Sequence, residues 1–216
     1  VYNSVRSGET IDHTKSVEGW NEPGFCDSLW GNVCHVPAPL GKLTTDPMPP
    51  MRVTRELEPV GITETGPGVY LVDFGENLTG WVETRVRGSR GQTVELQFNE
   101  VLKADGSLDT QNSTWHTRGR YQTGLLILDG EGMETFEPRF TYHGFRYMQV
   151  RGLTYKPSPE DFTAKCVHTD LQRAGNFSCS MDKLNDLNAA VCRTLLNAVH
   201  GIPGCLLYTS PSPRDR

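Results

Sequence analysis

The chain has 216 residues, of which 36% are hydrophobic and 22% are charged, a composition sufficient to build a globular core. Its formal net charge is −5 and no basic cluster is visible, which argues against nucleic acid as a partner. No apolar run approaches the roughly 18 residues that a membrane-crossing helix requires, so the sequence predicts no membrane span.

The N-terminal segment differs in composition from the rest of the chain. Residues 1–45 are rich in loop-forming residues and are followed by the proline-rich run DPMPP. A proline-rich stretch is typical of a linker, so we predict the end of a preceding domain over residues 1–45 and a linker over residues 46–54. The chain starts with Val1 and shows no signal peptide, so we expect the native start upstream, and the compartment stays unknown.

Short alternating segments begin after this linker and predict β-strands. Residues 68–74, 81–87 and 93–99 alternate apolar and polar positions, and the segment between the last two predicts a hairpin loop. The letters Asp73-Phe74-Gly75 do not accompany any other kinase motif and indicate a strand that ends in a turn.

Further strands are predicted over residues 121–129, 135–142, 145–150, 153–155 and 162–167. Many short strands separated by turn residues are typical of an all-β sandwich or barrel. We therefore predict a mainly β chain with an antiparallel β-sandwich over residues 55–170.

The period changes from 2 to 3.6 near the C-terminus. Leu184, Leu187, Val191 and Leu195 recur at helical spacing, which predicts a helix over residues 181–199 with Ser180 as its N-cap. This helix has no partner for its apolar face within the chain. We expect it to be the first helix of a truncated further domain and expect residues 177–216 to fold poorly in isolation.

Six cysteines are scattered along the chain without a C-x-x-C pair. We predict buried thiols at Cys26, Cys166, Cys179 and Cys192, and a bridge between Cys26 and Cys34 stays open. The histidines His116, His143 and His168 lack ligand spacing, so the sequence predicts no metal site.

No catalytic motif stands out in the sequence. Glu95 and Glu100 are not paired by any pattern and indicate a solvated sheet face, whereas a glycosidase needs two carboxylates on opposite sides of a bond. The oxygen-rich stretch at residues 105–109 predicts a β-turn. Trp81 and Trp115 are the candidate sugar contacts, although a tryptophan is more often a core or rim residue; Trp20 and Trp30 are weaker candidates.

Three segments resemble bacterial α-L-rhamnosidases of glycoside hydrolase family 78. VDFGENLTGWV at residues 72–82 resembles the family signature D-F-G-Q-N-x-x-G-W. FEPRFTYHGFRYMQV at residues 136–150 is similar to Y-E-P-x-F-T-Y-H-G-F-R-Y-x-x-V almost letter for letter, and GQTVELQFNEVL at residues 91–102 fits as well. The resemblance runs from about residue 7 to residue 203.

This resemblance gives each region an expected role. Residues 1–45 would be the tail of an N-terminal β-sandwich, residues 55–170 a concanavalin-like β-sandwich, and residues 177–204 the first helix of a truncated catalytic (α/α)6 barrel. The parent enzyme would hydrolyse terminal α-L-rhamnosidic bonds in glycosides or polysaccharides, with inversion.

The family carries its two catalytic carboxylates inside the barrel, so the resemblance implies no catalytic residue and no cofactor in this chain, and an inactive fragment. Some members hold a calcium-dependent rhamnose-binding module near the N-terminus, but no ligand residue maps onto this sequence. A stand-alone carbohydrate-binding sandwich and a purely structural domain are the alternatives. The substrate, aglycone and oligomeric state are not predictable from this sequence.

The last residues depart from the family. In the family, the helix and its Ile-Pro stop are followed by T-D-C-P-x-R, whereas this chain continues with Gly204. Residues 205–216, CLLYTSPSPRDR, resemble the translation of a transposase adapter from sequencing libraries. We therefore expect this tail to be foreign to the protein.

Overall fold

The structure is a computed structural model that describes residues 2–4, 7–110 and 120–203. The predictions for Trp115, His116 and the tail at residues 205–216 lie outside these ranges. Within them, two short 3-10 helices, His13–Lys15 and Pro159–Asp161, accompany the strands and one α-helix.

The described elements follow each other in chain order as β1 Tyr2–Ser4, β2 Gly8–Asp12, β3 Met51–Leu57, β4 Gly61–Gly66, β5 Val69–Arg87, β6 Thr93–Asn99, β7 Thr123–Ile127, β8 Met133–Phe136, β9 His143–Arg151, β10 Phe162–Thr169, α1 Asp182–Asn197, β11 Val199–His200 and β12 Ile202–Pro203.

Strands β1 to β10 form one ten-stranded sheet that curls around a single core. Its order is β1-β2-β7-β6-β9-β5-β10-β3, with β4 and β8 also paired to β5. All neighbours are antiparallel except β2 and β7, which run parallel. The mainly β sandwich predicted from the sequence is confirmed.

The core follows the predicted alternation of side chains. Val94 and Leu96 of β6 are fully buried, as are Val82 and Val86 of β5, because successive side chains of a strand point to opposite faces. Three phenylalanines from other strands fill the centre of this core: Phe136, Phe145 and Phe162.

Strand β5 corrects one prediction. The two strands predicted at residues 68–74 and 81–87 are one strand of 19 residues that passes through a β-bulge between Asp73 and Leu78. Asp73 accepts the N–H of Gly75 at 2.7 Å, and Gly75 has φ 80°. The Asp and Gly that signal a turn lie in a bulge here, because a glycine at positive φ also occurs in some types of β-bulge.

Several strands and one connection differ from the prediction. The loop at residues 88–91 is not a hairpin, because β9 lies between β5 and β6. The strand predicted at residues 135–142 ends at Phe136, and no strand forms over residues 153–155. Strands β3 and β4 were not predicted, and β3 begins inside the stretch predicted as a linker.

Helix α1 forms where the sequence predicts it, but its start differs. The N-cap is Met181 without a side-chain hydrogen bond, so the prediction of Ser180 was wrong. Instead, the amide of Asn185 bonds both the N–H and the carbonyl of Cys179, at 2.9 and 2.8 Å. The four apolar residues of the predicted face are 43–59% exposed: Leu184, Leu187, Val191 and Leu195.

The cysteines are only partly placed as predicted. Cys166 is buried, Cys179 and Cys192 are half-buried, and Cys26 is exposed, which corrects the prediction of a buried thiol there. Cys26 and Cys34 are both free and exposed, so they form no bridge in this structure.

Candidate functional site

Trp81 lies at the wall of a cleft on the surface of the sandwich. The cleft has a volume of about 340 Å³ and is lined by Trp81 together with Arg52 of β3 and Arg139, Phe140 and Tyr142 of the loop that precedes β9. We call it the Trp81 cleft. It combines aromatic surface with two guanidinium groups.

A close approach between β5 and β10 positions Trp81. Gly80 has φ 156°, and a Cβ added to it would overlap the carbonyl oxygen of Lys165 on β10. Only glycine accommodates that backbone conformation and that contact. In the G-W pair of the sequence motif, the glycine therefore allows β5 to lie close to β10, and the tryptophan directly after it is positioned by that contact.

Hydrogen bonds fix the indole ring. Trp81 Nε1–H donates to Glu137 Oε1 at 3.0 Å, and the same oxygen accepts from Lys165 Nζ at 2.9 Å. Lys165 also pairs with Glu83 at 2.5 Å. Burial favours a higher pKa for Glu137, but the hydrogen bonds from Lys165 and Trp81 outweigh it and hold that pKa below its ordinary value.

A buried carboxylate positions the loop at the other wall. Glu9 is 2% exposed, and its oxygens accept the backbone N–H of Arg139 at 3.3 Å and of Phe140 at 3.2 Å. It also accepts from Asn3 Nδ2 at 2.9 Å. The N-terminal segment thereby anchors the loop that presents Phe140, whose side chain is 70% exposed.

Tyr142 connects the cleft to the hairpin after α1. Its ring stacks on His200 with the centroids 4.4 Å apart and an interplanar angle of 9°. His200 Nε2–H donates to the carbonyl of Val167 at 3.0 Å, and burial lowers the pKa of His200. The hairpin β11–β12 therefore supports one edge of the cleft.

The other predicted tryptophans lie elsewhere. Trp20 and Trp30 line a separate groove of about 650 Å³ together with Tyr2, so they do not join Trp81 in one platform. Both remain more than half exposed.

The predicted histidines and glutamates form no shared site within the described ranges. His143 is buried, and burial lowers its pKa to about 4. His168 is hydrogen-bonded, with Thr54 at 2.8 Å and the carbonyl of Thr169 at 2.8 Å. Glu100 accepts from Asn77 at 2.8 Å, whereas Glu95 lies 3.9 Å from Arg151.

The last three sequence predictions concern the turn at residues 105–109, metal sites and membrane spans. The stretch at residues 105–109 is a turn in which Asp105 accepts from Ser107. Over the described residues, no three His, Cys, Asp or Glu side chains are placed to hold a metal ion. No helix in residues 2–4, 7–110 and 120–203 is long and apolar enough to span a membrane.

Polar contacts hold α1 on the sandwich. Glu76, in the bulge of β5, pairs with Arg55 of β3 and with Arg193 of α1, the latter at 3.3 Å. Thr79 Oγ1 donates to the carbonyl of Asn197 at the end of the helix at 3.1 Å. The bulge is thus the place where the helix meets the sheet.

Sequence reasoning missed four residues of the Trp81 cleft: Arg52, Arg139, Phe140 and Tyr142. Three of them belong to the segment FEPRFTYHGFRY, which the sequence alone predicts to be a strand up to residue 142. Pro138 was the available signal, because a proline inside a run argues against a continuous strand.

Comparison with known proteins matches both parts of the chain to one family. Residues 63–168 match the bacterial alpha-L-rhamnosidase concanavalin-like domain, and residues 1–55 match the alpha-L-rhamnosidase N-terminal domain. An alpha-L-rhamnosidase of Formosa agariphila is 32% identical over 94% of this chain and 21% of its own length.

Two solved structures are similar in fold. The alpha-L-rhamnosidase from Dictyoglumus thermophilum has a TM-score of 0.87 at 37% identity, over 93% of this chain and 22% of that one. The Streptomyces avermitilis alpha-L-rhamnosidase, solved in complex with L-rhamnose, has a TM-score of 0.84 at 36% identity, over 91% of this chain and 19% of that one.

The chain spans only about a fifth of the length of these relatives, 21% of the Formosa agariphila protein and 22% of the Dictyoglumus thermophilum chain. The chain shares with these relatives both matched domains, the curled sheet and the single C-terminal helix. The chain belongs to the bacterial α-L-rhamnosidase family and carries its concanavalin-like domain.

Proposed function

We propose that this chain is the non-catalytic β-sandwich portion of an enzyme that hydrolyses terminal α-L-rhamnosidic bonds with inversion. The match of residues 63–168 to the concanavalin-like domain of this family carries the proposal. The catalytic carboxylates would then lie in the part of the relatives that this chain does not cover.

The chemistry of the Trp81 cleft supports a non-catalytic role. A glycosidase needs one carboxyl group with a raised pKa to act as general acid. Glu137, which accepts from Trp81, and Glu83, two positions further along β5, both pair with Lys165, and the pKa of Glu137 is lowered. An inverting enzyme also leaves room for water between carboxyls about 6.5–9.5 Å apart, whereas an ammonium group occupies the space here.

The sandwich would act as a scaffold for the catalytic unit. Helix α1 is clamped by Glu76 and Thr79 on one side and exposes its apolar face on the other. We propose that this face packs against further helices of the catalytic unit. The sandwich would therefore fix the position of the first helix of that unit.

Hydrolysis of 4-nitrophenyl α-L-rhamnopyranoside tests the proposal. We expect the purified chain to release no nitrophenol above the buffer rate, while the Streptomyces avermitilis relative serves as positive control. Turnover by the chain that persists through repeated purification and disappears in Glu137→Gln would assign the reaction to the Trp81 cleft and refute the scaffold role.

Binding of a sugar at the Trp81 cleft is the second candidate function. The specific observation is an indole whose ring is fixed by Glu137 beside the partly exposed ring of Tyr142. Titration of L-rhamnose, with and without calcium, is followed by tryptophan fluorescence. We expect a saturable shift in the unchanged chain. Because Trp81→Phe removes the reporter itself, calorimetry measures binding to that variant and should detect none, and Trp115→Ala tests the other sequence candidate. No response in any variant would leave the scaffold role alone.

A further inference from the structure

We propose that the Trp81 cleft binds a sugar ring that carries an anionic substituent, a carboxylate or a sulfate. This inference rests on the proposed sugar contact at Trp81 and adds the class of ligand. Its basis is the juxtaposition of two guanidinium groups with aromatic side chains in one cleft.

The charge of the cleft opposes the charge of the chain. The chain as a whole has a net charge of −5, whereas the described residues that line the cleft include Arg52 and Arg139 and no carboxylate. Arginine presents a planar fork of donors that matches carboxylate and sulfate-like oxygens better than neutral hydroxyl groups. The lining therefore favours an anion over a neutral ligand.

Both guanidinium groups are available to a ligand. Arg52 lies 3.9 Å from Asp170, and the two side chains are 63% and 51% exposed. Such exposed pairs are weak and exchange readily with other partners. For Arg139, no carboxylate in the described part of the chain lies within ion-pair distance.

The nearby acidic groups do not oppose an anion. Glu137 accepts hydrogen bonds from Trp81 and Lys165, and Glu83 pairs with the same lysine at 2.5 Å. Two carboxylates and one ammonium leave one negative charge. Glu137 directs its oxygen at Trp81 Nε1–H and Lys165 Nζ, and it also attracts Arg139 electrostatically. Asp170 beside Arg52 adds a second negative charge. The two arginines balance these charges in number, but they line the cleft, whereas none of the carboxylates does.

The aromatic groups provide the surface for the ring. Trp81 is fixed through its Nε1–H, and Tyr142 is fixed by stacking on His200. Side chains that are already ordered lose little conformational entropy when a ligand binds. Glu9 fixes only the backbone of the third aromatic residue, Phe140, whose side chain is exposed.

The volume of the cleft suits a small ligand. Its volume of about 340 Å³ lies at the lower end of the range typical of small-molecule sites, about 300–1,000 Å³. This favours a single ring with its charged substituent. A uronate or a sulfated monosaccharide unit has these features.

Isothermal titration calorimetry on the full chain tests the inference with matched ligands. Methyl β-D-glucuronide is the anionic probe and methyl β-D-glucoside its neutral counterpart, which has the same ring. We expect the glucuronide to bind at least about tenfold more tightly, because charge-assisted bonds to arginine are the stronger ones. Methyl glucoside 6-sulfate then distinguishes a sulfated sugar from a carboxylated one as the preferred source of the charge.

The arginine variants locate the site. Arg139→Gln and Arg52→Gln should each reduce the preference for the anionic probe, and the double variant should bind both probes equally. Arg85→Gln is the matched control, because Arg85 is also exposed but donates to the carbonyl of Glu160 outside the cleft. Thermal melts confirm that each variant is folded, and higher salt should weaken binding of the glucuronide alone.

Three results would overturn the inference. Equal affinity for the two methyl glycosides would show that charge is not recognised, while sugar binding itself would stand. Sodium sulfate that binds as tightly as the sulfated sugar would reveal an anion site without a sugar component. No binding of any probe would remove the sugar-contact candidate as well, but the scaffold role, which the hydrolysis assay tests, would be unaffected.

Discussion

Gly80→Ala tests the close approach of β5 and β10 that positions Trp81. Gly80 has φ 156°, and an added Cβ would overlap the carbonyl oxygen of Lys165 and approach the N–H of Val167 to 3.2 Å. These neighbours are backbone atoms of β10, which is hydrogen-bonded to β5 on one side and β3 on the other. The strand cannot move away without breaking those bonds.

Two costs add up in this variant. The backbone conformation is essentially restricted to glycine and costs about 1–3 kcal/mol for another residue. Overpacking of a well-packed region costs about 1–3 kcal/mol more. We therefore expect Gly80→Ala to lower the free energy of unfolding by about 2–6 kcal/mol, a large fraction of the about 5–15 kcal/mol typical of a domain.

Gly91→Ala is the matched control. Gly91 also has positive φ, 79°, but an added Cβ would have no described atom within 4 Å. Only the conformational cost remains, about 1–2 kcal/mol. Urea denaturation of both variants, followed by tryptophan fluorescence, measures the difference. If Gly80→Ala lowers the free energy of unfolding no more than Gly91→Ala does, β5 and β10 do not approach each other as closely at Gly80 as described.

Three further predictions address titration, the helix and the loop anchor. Burial lowers the pKa of His143 to about 4, whereas the unfolded state protonates at about 6.5. The free energy of unfolding should therefore fall by about 2 kcal/mol between about pH 7.5 and about pH 5. His143→Gln should remove this pH dependence in urea denaturation, and an unchanged dependence would contradict the prediction. Amide exchange should be fast across α1, whose apolar face is exposed, and strong protection there would refute a helix that lacks its partners. Glu9→Ala should cost about 1–3 kcal/mol in thermal melts, because the N–H groups of Arg139 and Phe140 lose their buried acceptor. An unchanged melting temperature would show that this anchor is unimportant.

The pattern of side chains was sufficient to predict the core. Val94, Leu96 and Phe98 alternate with polar residues in the sequence, and the structure buries all three. The helix was predicted for the same reason, because its apolar residues repeat at helical spacing. Both features depend on local periodicity, which is visible in a single sequence.

Features that depend on pairing between distant segments were not predictable in this way. Strand β3 places Met51, Val53 and Leu57 at alternate positions, but six of its seven residues are exposed, so the pattern marks no buried face. Its hydrogen bonds come from pairing with β10. The bulge at residues 73–78 has the Asp and Gly of a turn. Its role as the anchor of α1 arises from Glu76 and Arg193, which are far apart in the sequence.

For the same reason, only part of the candidate site could be predicted from the sequence. Trp81 could be named because an isolated tryptophan beside a glycine is conspicuous in a strand. Arg52, Arg139 and Tyr142 meet it only after β3, β5 and the loop before β9 come together. No spacing in the sequence indicates that juxtaposition.

A domain exchange with the Streptomyces avermitilis relative tests the central claim most directly. Residues 63–168 of this chain would replace the matching concanavalin-like domain of that enzyme, and kcat for 4-nitrophenyl α-L-rhamnopyranoside would be compared with the parent. If the sandwich is a non-catalytic scaffold, a folded chimera should retain kcat within about tenfold, which corresponds to about 1.4 kcal/mol in the barrier. A folded chimera that still binds L-rhamnose but has lost hydrolysis would contradict the claim and place catalytic groups in the sandwich.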